Sequence, residues 1–182
     1  MSLVKKILHM IGKIYLIGLR YFKGGVFYAR HLGVNIGEGC RIYTTSFGSE
    51  PFLITIGDRV TVTSGVKILT HDGSTWLIRK DGVRYQKYLP VVIGDDVFIG
   101  VNSIIMPGVV IGSKVIIGAG SVVTKDIPNN SVVVGTPAKV VSTFNEYEER
   151  VKNTCVNDNE LDQFNTYREK VLYAVSKFKE RP

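Results

Sequence analysis

Branched aliphatic residues fall at every sixth position from Ile93 onward: Ile93-Gly94, Ile99-Gly100, Ile105, Ile111-Gly112, Ile117-Gly118 and Val123, without a slip. A fixed short period marks a repeat architecture, and missing it misreads the whole fold. Physically, each hexad is one short strand and one turn. The aliphatic side chain points inward, and the Gly after it accepts the backbone angles or the close approach of a corner. Three hexads make one triangular coil, so the six from Ile93 to Pro128 make two coils. The beat recurs at Ile56-Gly57, Val62 and Ile68 as a third coil, and Ile36-Gly37 and Ile42 start the prism. A coil buries its aliphatic row only against neighbouring coils, and at least three repeats are needed for stability. The chain has about that number, so the ends of its solenoid need caps.

Length and composition fit one such domain. The 182 residues suffice for a good core, and 45% hydrophobic with 21% charged residues is ordinary for a soluble protein. Cys40 and Cys155 match no C-x-x-C spacing, which suggests neither a disulfide framework nor a zinc ribbon but two free thiols in a reducing cytoplasm. No nucleic-acid motif accompanies the net charge of +7.

That charge is unevenly placed. Lys5, Lys6, Lys13, Arg20 and Lys23 stand among Ile7, Leu8, Ile11, Ile14, Ile17 and Phe22, an amphipathic helical pattern over residues 1–23. Lys13 and Arg20 interrupt every apolar run, so the segment is too short to span a membrane, and it lacks the cleavage site of a signal peptide. Two readings stay open: a cap on the N-terminal coil, or a helix lying peripherally on anionic lipid at the inner face of the cell membrane. At the other end, Leu161, Phe164, Val171, Leu172, Val175 and Phe178 predict a helix from about Asn159 to Lys179, covering the last coil or a neighbouring subunit. The expected organisation is therefore a helical cap over 1–35, a solenoid over 36–142 and a helical extension over 143–182.

The beat breaks once at length. After Ile68 the chain runs Leu69-Thr70-His71-Asp72 and leaves the repeat for Gly73 to Pro90 before rejoining at Val91. Insertions in a solenoid protrude on one face, often the binding face. This one carries Trp76, Arg79, Arg84, Tyr85 and Tyr88, whose rings and hydrogen-bonding heads suit a polar ring such as a sugar.

Several segments then stand together: Thr70-His71-Asp72 at the start of a loop, Ile93-Gly94-Asp95-Asp96-Val97-Phe98-Ile99-Gly100, Pro107 to Gly112, Ile117 to Pro128, and Gly135-Thr136-Pro137-Ala138-Lys139. With them the chain, over about residues 36–142, resembles the hexapeptide-repeat acyltransferases. It resembles in particular the branch with galactoside, maltose, xenobiotic and polysaccharide O-acetyltransferases. The resemblance implies an all-β solenoid, the left-handed parallel β-helix, and a homotrimer. It also implies acetyl-CoA as donor, and a general base at the position of His71, without a metal.

A base is needed because an alcohol attacks a thioester poorly unless its proton is taken as the bond forms, and imidazole titrates near neutrality. His71 must then be neutral, with an acceptor for its second ring N–H. Asp72 is adjacent, but neighbours on an extended chain point to opposite sides. By the same resemblance, Phe98 and Val101 would flank the pantetheine, with a backbone N–H near Val101 as an oxyanion donor. Gly118, Ala119, Gly120 and Ser121 would admit the cofactor close to the backbone, and Thr124, Lys125 and Lys139 would meet its phosphates and adenine. Some relatives have Trp in place of Phe98 and a small polar residue in place of Val101, so an acyl group other than acetyl stays open.

The reading that follows is an acetyl-CoA-dependent O-acetyltransferase acting on a saccharide hydroxyl in bacterial surface-polysaccharide synthesis, cytoplasmic or at the membrane's inner face. An N-acyltransferase on an amino sugar, or a serine or antibiotic acetyltransferase, is the alternative on the same scaffold. A carbonic anhydrase would need three converging histidines, which His9, His31 and His71 do not supply. A non-enzymatic β-helix would require neither the histidine nor the lysines.

Overall fold

The inward-pointing aliphatics of successive coils stack into columns. In this computed structural model, which describes residues 3–179 without the side chains of 3–11, 13, 14, 17 and 179, three sheets form the sides of a prism. The first contains Asn35–Ile36, Ile54–Ile56, Val91–Ile93 and Val110–Ile111, and its column runs Ile36, Ile56, Ile93, Ile111. The second contains Arg41–Ile42, Thr61–Val62, Val97–Ile99, Val115–Ile117, Ser131–Gly135 and Ala138–Thr143, with the column Ile42, Val62, Ile99, Ile117, Val133. The third contains Lys67–Ile68, Ile104–Ile105 and Val122–Val123, with Ser46 bridging to Lys67. These registered ladders are parallel, and the column residues are buried, from fully to within 6% exposure. A two- or three-residue strand has no stability alone. Each is held by its neighbours above and below, and burial of one Ile contributes about 1.5–3 kcal/mol.

One corner explains the Gly that follows Ile56, Ile93 and Ile111. The backbone N–H of Asp58 donates to the carboxylate of Asp95 (2.8 Å), that of Asp95 to Ser113 Oγ (3.0 Å), and that of Ser113 to Asn129 Oδ1 (2.8 Å). This ladder runs so close to the preceding residue that a Cβ on Gly57 would stand 2.3 Å from Asp95 Oδ1. Gly is there for space. The left-handed backbone falls two residues later, at Arg59 (φ 54°), Asp96 (φ 56°) and Lys114 (φ 54°). Two of these residues are joined across coils by a bidentate pair, Arg59 to Asp96 at 2.6 and 2.9 Å, which holds the Asp96 carboxyl below its ordinary range.

At the N-terminal end, α1 (Leu3–His31) is interrupted at Gly24, whose φ of 85° is not helical. Ala29 is buried, Val26 and Tyr28 pack against the core, and Gly25 lies against the Ile42 carbonyl. Arg30 donates to the carbonyls of Ile36 and Gly37, and Arg20 to those of Tyr43 and Thr44. Carbonyls at the first coil thus receive side-chain donors in place of a further strand. Tyr21 and Phe22 stay exposed. The apolar and basic stripe of Lys5, Lys6, Ile7, Leu8, Ile11, Lys13, Ile14 and Ile17 lies outside the described side chains. No helix among the described residues is long and apolar enough to cross a membrane.

The chain divides into two compact units, Met1–Val141 and Ser142–Pro182. The second holds α2 (Phe144–Thr154), α3 (Asp158–Leu161) and α4 (Tyr167–Lys179). The single helix expected from Asn159 to Lys179 is therefore broken. Thr166 Oγ1 accepts from the Glu169 N–H while the Glu169 carboxylate accepts from the Thr166 N–H, a reciprocal cap that starts α4 afresh.

Candidate active site

The chain leaves and re-enters the solenoid through a closed neck. Leu89 N–H donates to the Thr70 carbonyl (2.8 Å), Asp72 N–H to the Lys87 carbonyl (3.0 Å), and His71 pairs antiparallel with Tyr88. His71 therefore stands on a hydrogen-bonded base. The excursion beyond it is itself ordered. Asp72 caps a 3₁₀ turn over Gly73–Leu77, and Arg79–Lys80 pairs with Val83–Arg84 as a hairpin. Its turn, Asp81-Gly82, has positive φ at both positions (52° and 76°), the combination a two-residue hairpin favours.

The acceptor for His71 comes from another coil. Glu50 Oε2 lies 3.0 Å from His71 Nδ1 and 2.7 Å from the donating hydroxyl of Thr70. The Thr70 hydrogen bond, followed by the contact with His71, holds the Glu50 carboxyl below the usual carboxylate range against its partial burial. A carboxylate accepts only, so the imidazole proton belongs on Nδ1 and the Nε2 lone pair is left free. The side chain of His71 is 40% exposed and that of Glu50 17%, which puts the ring at a surface and its partner beneath it. Asp72 does not compete. Its carboxylate takes the N–H and hydroxyl of Ser74, which hold it in the ionised form. Glu50 escaped sequence reading. Its only trace is the Ile42-to-Ile56 interval, fourteen residues where two hexads would need twelve.

His71 and Glu50 open onto a hollow of about 200 Å³ that Thr75, Arg84, Lys87 and Tyr88 help to line. Of the loop residues expected to meet an acceptor, Arg84 and Tyr88 line it, while Trp76, Arg79 and Tyr85 do not. The Trp76 ring is not a vacant face for a sugar, because the Arg79 and Arg84 guanidinium carbons stand 5.0 and 4.6 Å from its centroid.

The residues expected to meet the donor divide. Phe98 and Val101 are exposed, and Ala119, Gly120, Thr124, Lys125 and Lys139 are too. Val101 accepts from Gly120 N–H at 2.8 Å, so those two corners lie on adjacent coils. A Cβ on Gly120 would meet nothing within 4 Å, whereas one on Gly118 would strike Val134. Ser121 must be corrected: it is fully buried, its hydroxyl donating to the Gly118 carbonyl and accepting from Gly135 N–H, so it serves the corner and reaches no surface ligand. Among the described residues no three His, Cys, Asp or Glu gather as a metal site.

A coiled hexad scaffold with one histidine raised at the neck of a loop defines a class, and comparison with known proteins agrees. A family model described as the hexapeptide repeat of succinyl-transferase matches residues 90–125. The chain is 49% identical to Protein CapG of Staphylococcus aureus over 154 residues, covering 83% of this chain and 87% of that protein. It is 33% identical to the galactoside O-acetyltransferase of Escherichia coli (strain K12) over 98 residues, 53% of this chain and 47% of that one. A galactoside acetyltransferase solved in complex with coenzyme A superposes with a TM-score of 0.51 at 26% identity, over 67% of this chain and 70% of that one. The chain belongs to the hexapeptide-repeat acetyltransferase family. Its three parallel sheets are those of the left-handed β-helix.

Proposed function

We propose that the protein is an acetyl-CoA-dependent O-acetyltransferase that acetylates a saccharide hydroxyl, works as a homotrimer and serves surface-polysaccharide synthesis. The observation that carries this reading is Glu50 Oε2 bound at once to Thr70 and to His71 Nδ1, which leaves Nε2 as a base at the surface of the hollow. Support for a saccharide comes from the galactoside O-acetyltransferase likeness, and for coenzyme A from the structure solved with it. The residues suit such a donor: Gly120 leaves the backbone open to close approach, and Lys125 and Lys139 are exposed cations without an ion pair among the described residues.

The donor supplies an acetyl group activated as a thioester. His71 Nε2 accepts the proton of the acceptor hydroxyl as its oxygen attacks the acetyl carbonyl, and the imidazolium then returns that proton to the departing thiolate. Glu50 keeps the ring in the tautomer that can begin this and offsets the charge that develops on it. The Val101 N–H, which no acceptor among the described residues takes up, is the candidate donor to the carbonyl oxygen.

The test is His71→Ala, assayed by release of free thiol from acetyl-CoA. Turnover on a hydroxyl acceptor should fall roughly 10²-fold or more, the contribution of a general base, with the melting temperature and CoA affinity unchanged. A variant that keeps most of its rate refutes the assignment. One that loses the hydroxyl acceptor but keeps an amine acceptor would favour N-acylation, since a free amine needs the base less.

A further inference from the structure

Resting on the acyl-transfer reading above, we propose that the acceptor saccharide carries a phosphate or carboxylate, and that Arg79 and Arg84, gathered over Trp76, form the clamp for it. Arg79 and Arg84 are direct partners in the hairpin ladder. Like charges directly opposite one another in an antiparallel pair oppose its formation. Here both guanidiniums also stand against one indole, at 5.0 and 4.6 Å from its centroid, so they are no farther apart than the sum of those two distances. An exposed ring attracts each cation only weakly and does nothing about their mutual repulsion.

No carboxylate of the chain relieves it. Among the described residues neither arginine makes an ion pair or a side-chain hydrogen bond. The nearby acids are engaged or apart: Glu50 with Thr70 and His71, Asp72 with Ser74, and Asp81, at the hairpin turn, in no ion pair. A stacked guanidinium keeps its N–H edge free, and that planar fork matches two oxygens of a phosphate or carboxylate. A bound anion would satisfy both edges and turn an unfavourable cross-strand pair into a favourable one.

The clamp meets the acceptor side through Arg84. Arg84 and Lys87 line the hollow that His71 faces. Tyr88, the partner of His71, lies four positions beyond Arg84, so the Cα atoms of Arg84 and Tyr88 stand no more than about 14 Å apart even if the arm is fully extended. A sugar ring with one attached anionic group bridges such an interval, with its hydroxyl at Nε2 and its charge at the arginines.

Trp76 is the one tryptophan in the chain, so its fluorescence reports on the clamp without catalysis. The full-length protein is titrated with a hexose 1-phosphate, a hexuronate and the neutral methyl glycoside of the same sugar. A saturable change with the phosphate or the uronate and none with the glycoside is expected, and the stronger of the two names the anion. Arg79→Gln and Arg84→Gln should each weaken that response about tenfold or more, as loss of a charge-assisted contact does. Neither should lower the melting temperature, because each removes a repulsion. No saturable change with either anion, an equal response to the neutral glycoside, or unchanged binding in both variants overturns the proposal. Failure of the acyl-transfer reading looks different. Anions would bind while no acceptor releases thiol from acetyl-CoA, leaving the clamp standing and the reaction not.

Discussion

At the scale of single residues the site turns on one carboxylate oxygen. Glu50 Oε2 receives the Thr70 hydroxyl and the His71 ring, residues adjacent in sequence, and so fixes both the direction of the ring and its tautomer. Glu50→Gln keeps the shape and removes the certainty. A Gln carbonyl can still accept the Nδ1 proton, but its NH₂ presented to the same atom would select the other tautomer, in which Nε2 has no lone pair to offer. Turnover should fall roughly tenfold or more, short of the loss from removing the base itself, with the KM for acetyl-CoA unchanged. Stability gives a second readout with a fixed sign. The Glu50 carboxyl lies below its ordinary range, so the stability it contributes is fully present above the unfolded glutamate pKa of about 4.3 and disappears as pH falls through the lower folded value. Denaturation at pH 7 should find Glu50→Gln less stable than the wild type, and the difference should shrink below about pH 4. A difference that persists undiminished well below pH 4 would contradict the hydrogen bonds that hold the Glu50 carboxylate.

At the scale of elements, the corner decides more than the strand. Gly57→Ala would set a methyl 2.3 Å from Asp95 Oδ1 and 2.8 Å from the Gly94 carbonyl carbon, and backbone on the next coil cannot yield as a flexible side chain would. The expected cost is about 1–3 kcal/mol, as for overpacking a core, read from chemical denaturation. Gly73→Ala, with nothing within 4 Å, is the control and should cost far less. The same contrast shows what a sequence discloses. A hexad period reports burial on a regular lattice, so the three columns were legible from the successive hexad residues Ile93, Ile99 and Ile105, and so was the neck at His71, where the lattice stops. Glu50 was not, because its partner lies 21 residues away and only a two-residue lengthening of one coil betrays it. Ser121 misled because a small residue beside glycines looks the same whether it clears a path for a ligand or fills a corner. Ser103 does the latter too, donating to the carbonyls of Gly100 and Gly118. The apolar period that predicted one helix over 159–179 was outweighed by a local cap at Thr166 and Glu169, a signal of four residues against a much longer one.

At the scale of the whole molecule, the outward positions of the solenoid strands and corners are unusually apolar. Val92, Phe98, Val101, Val110 and Val134 are each about 40% exposed, where a sheet facing water would alternate to polar residues. Such faces are expected to be covered by further copies of the chain. Light scattering should find a particle of about three times 20.2 kDa, and a monomer at micromolar concentration would contradict the homotrimer. The coils C-terminal to the loop then gain a particular role. Lys125 and Lys139 stand exposed on them, without an ion pair among the described residues. An uncompensated cation on these coils, which also carry the open corner at Gly120, suits a phosphate that leaves with the product, because the contact is the same before and during the chemical step. Its loss therefore affects binding alone. Lys125→Ala and Lys139→Ala should each raise the KM for acetyl-CoA with turnover at saturation nearly unchanged. The cost should be about 1.5–3 kcal/mol, a factor of roughly ten to a hundred and fifty, if the contact is charge-assisted. The acceptor KM discriminates. If the lysine variants leave the cofactor KM alone and raise that of the acceptor, the donor does not run along these coils, and Phe98, Val101 and Gly120 lose their assigned ligand with it.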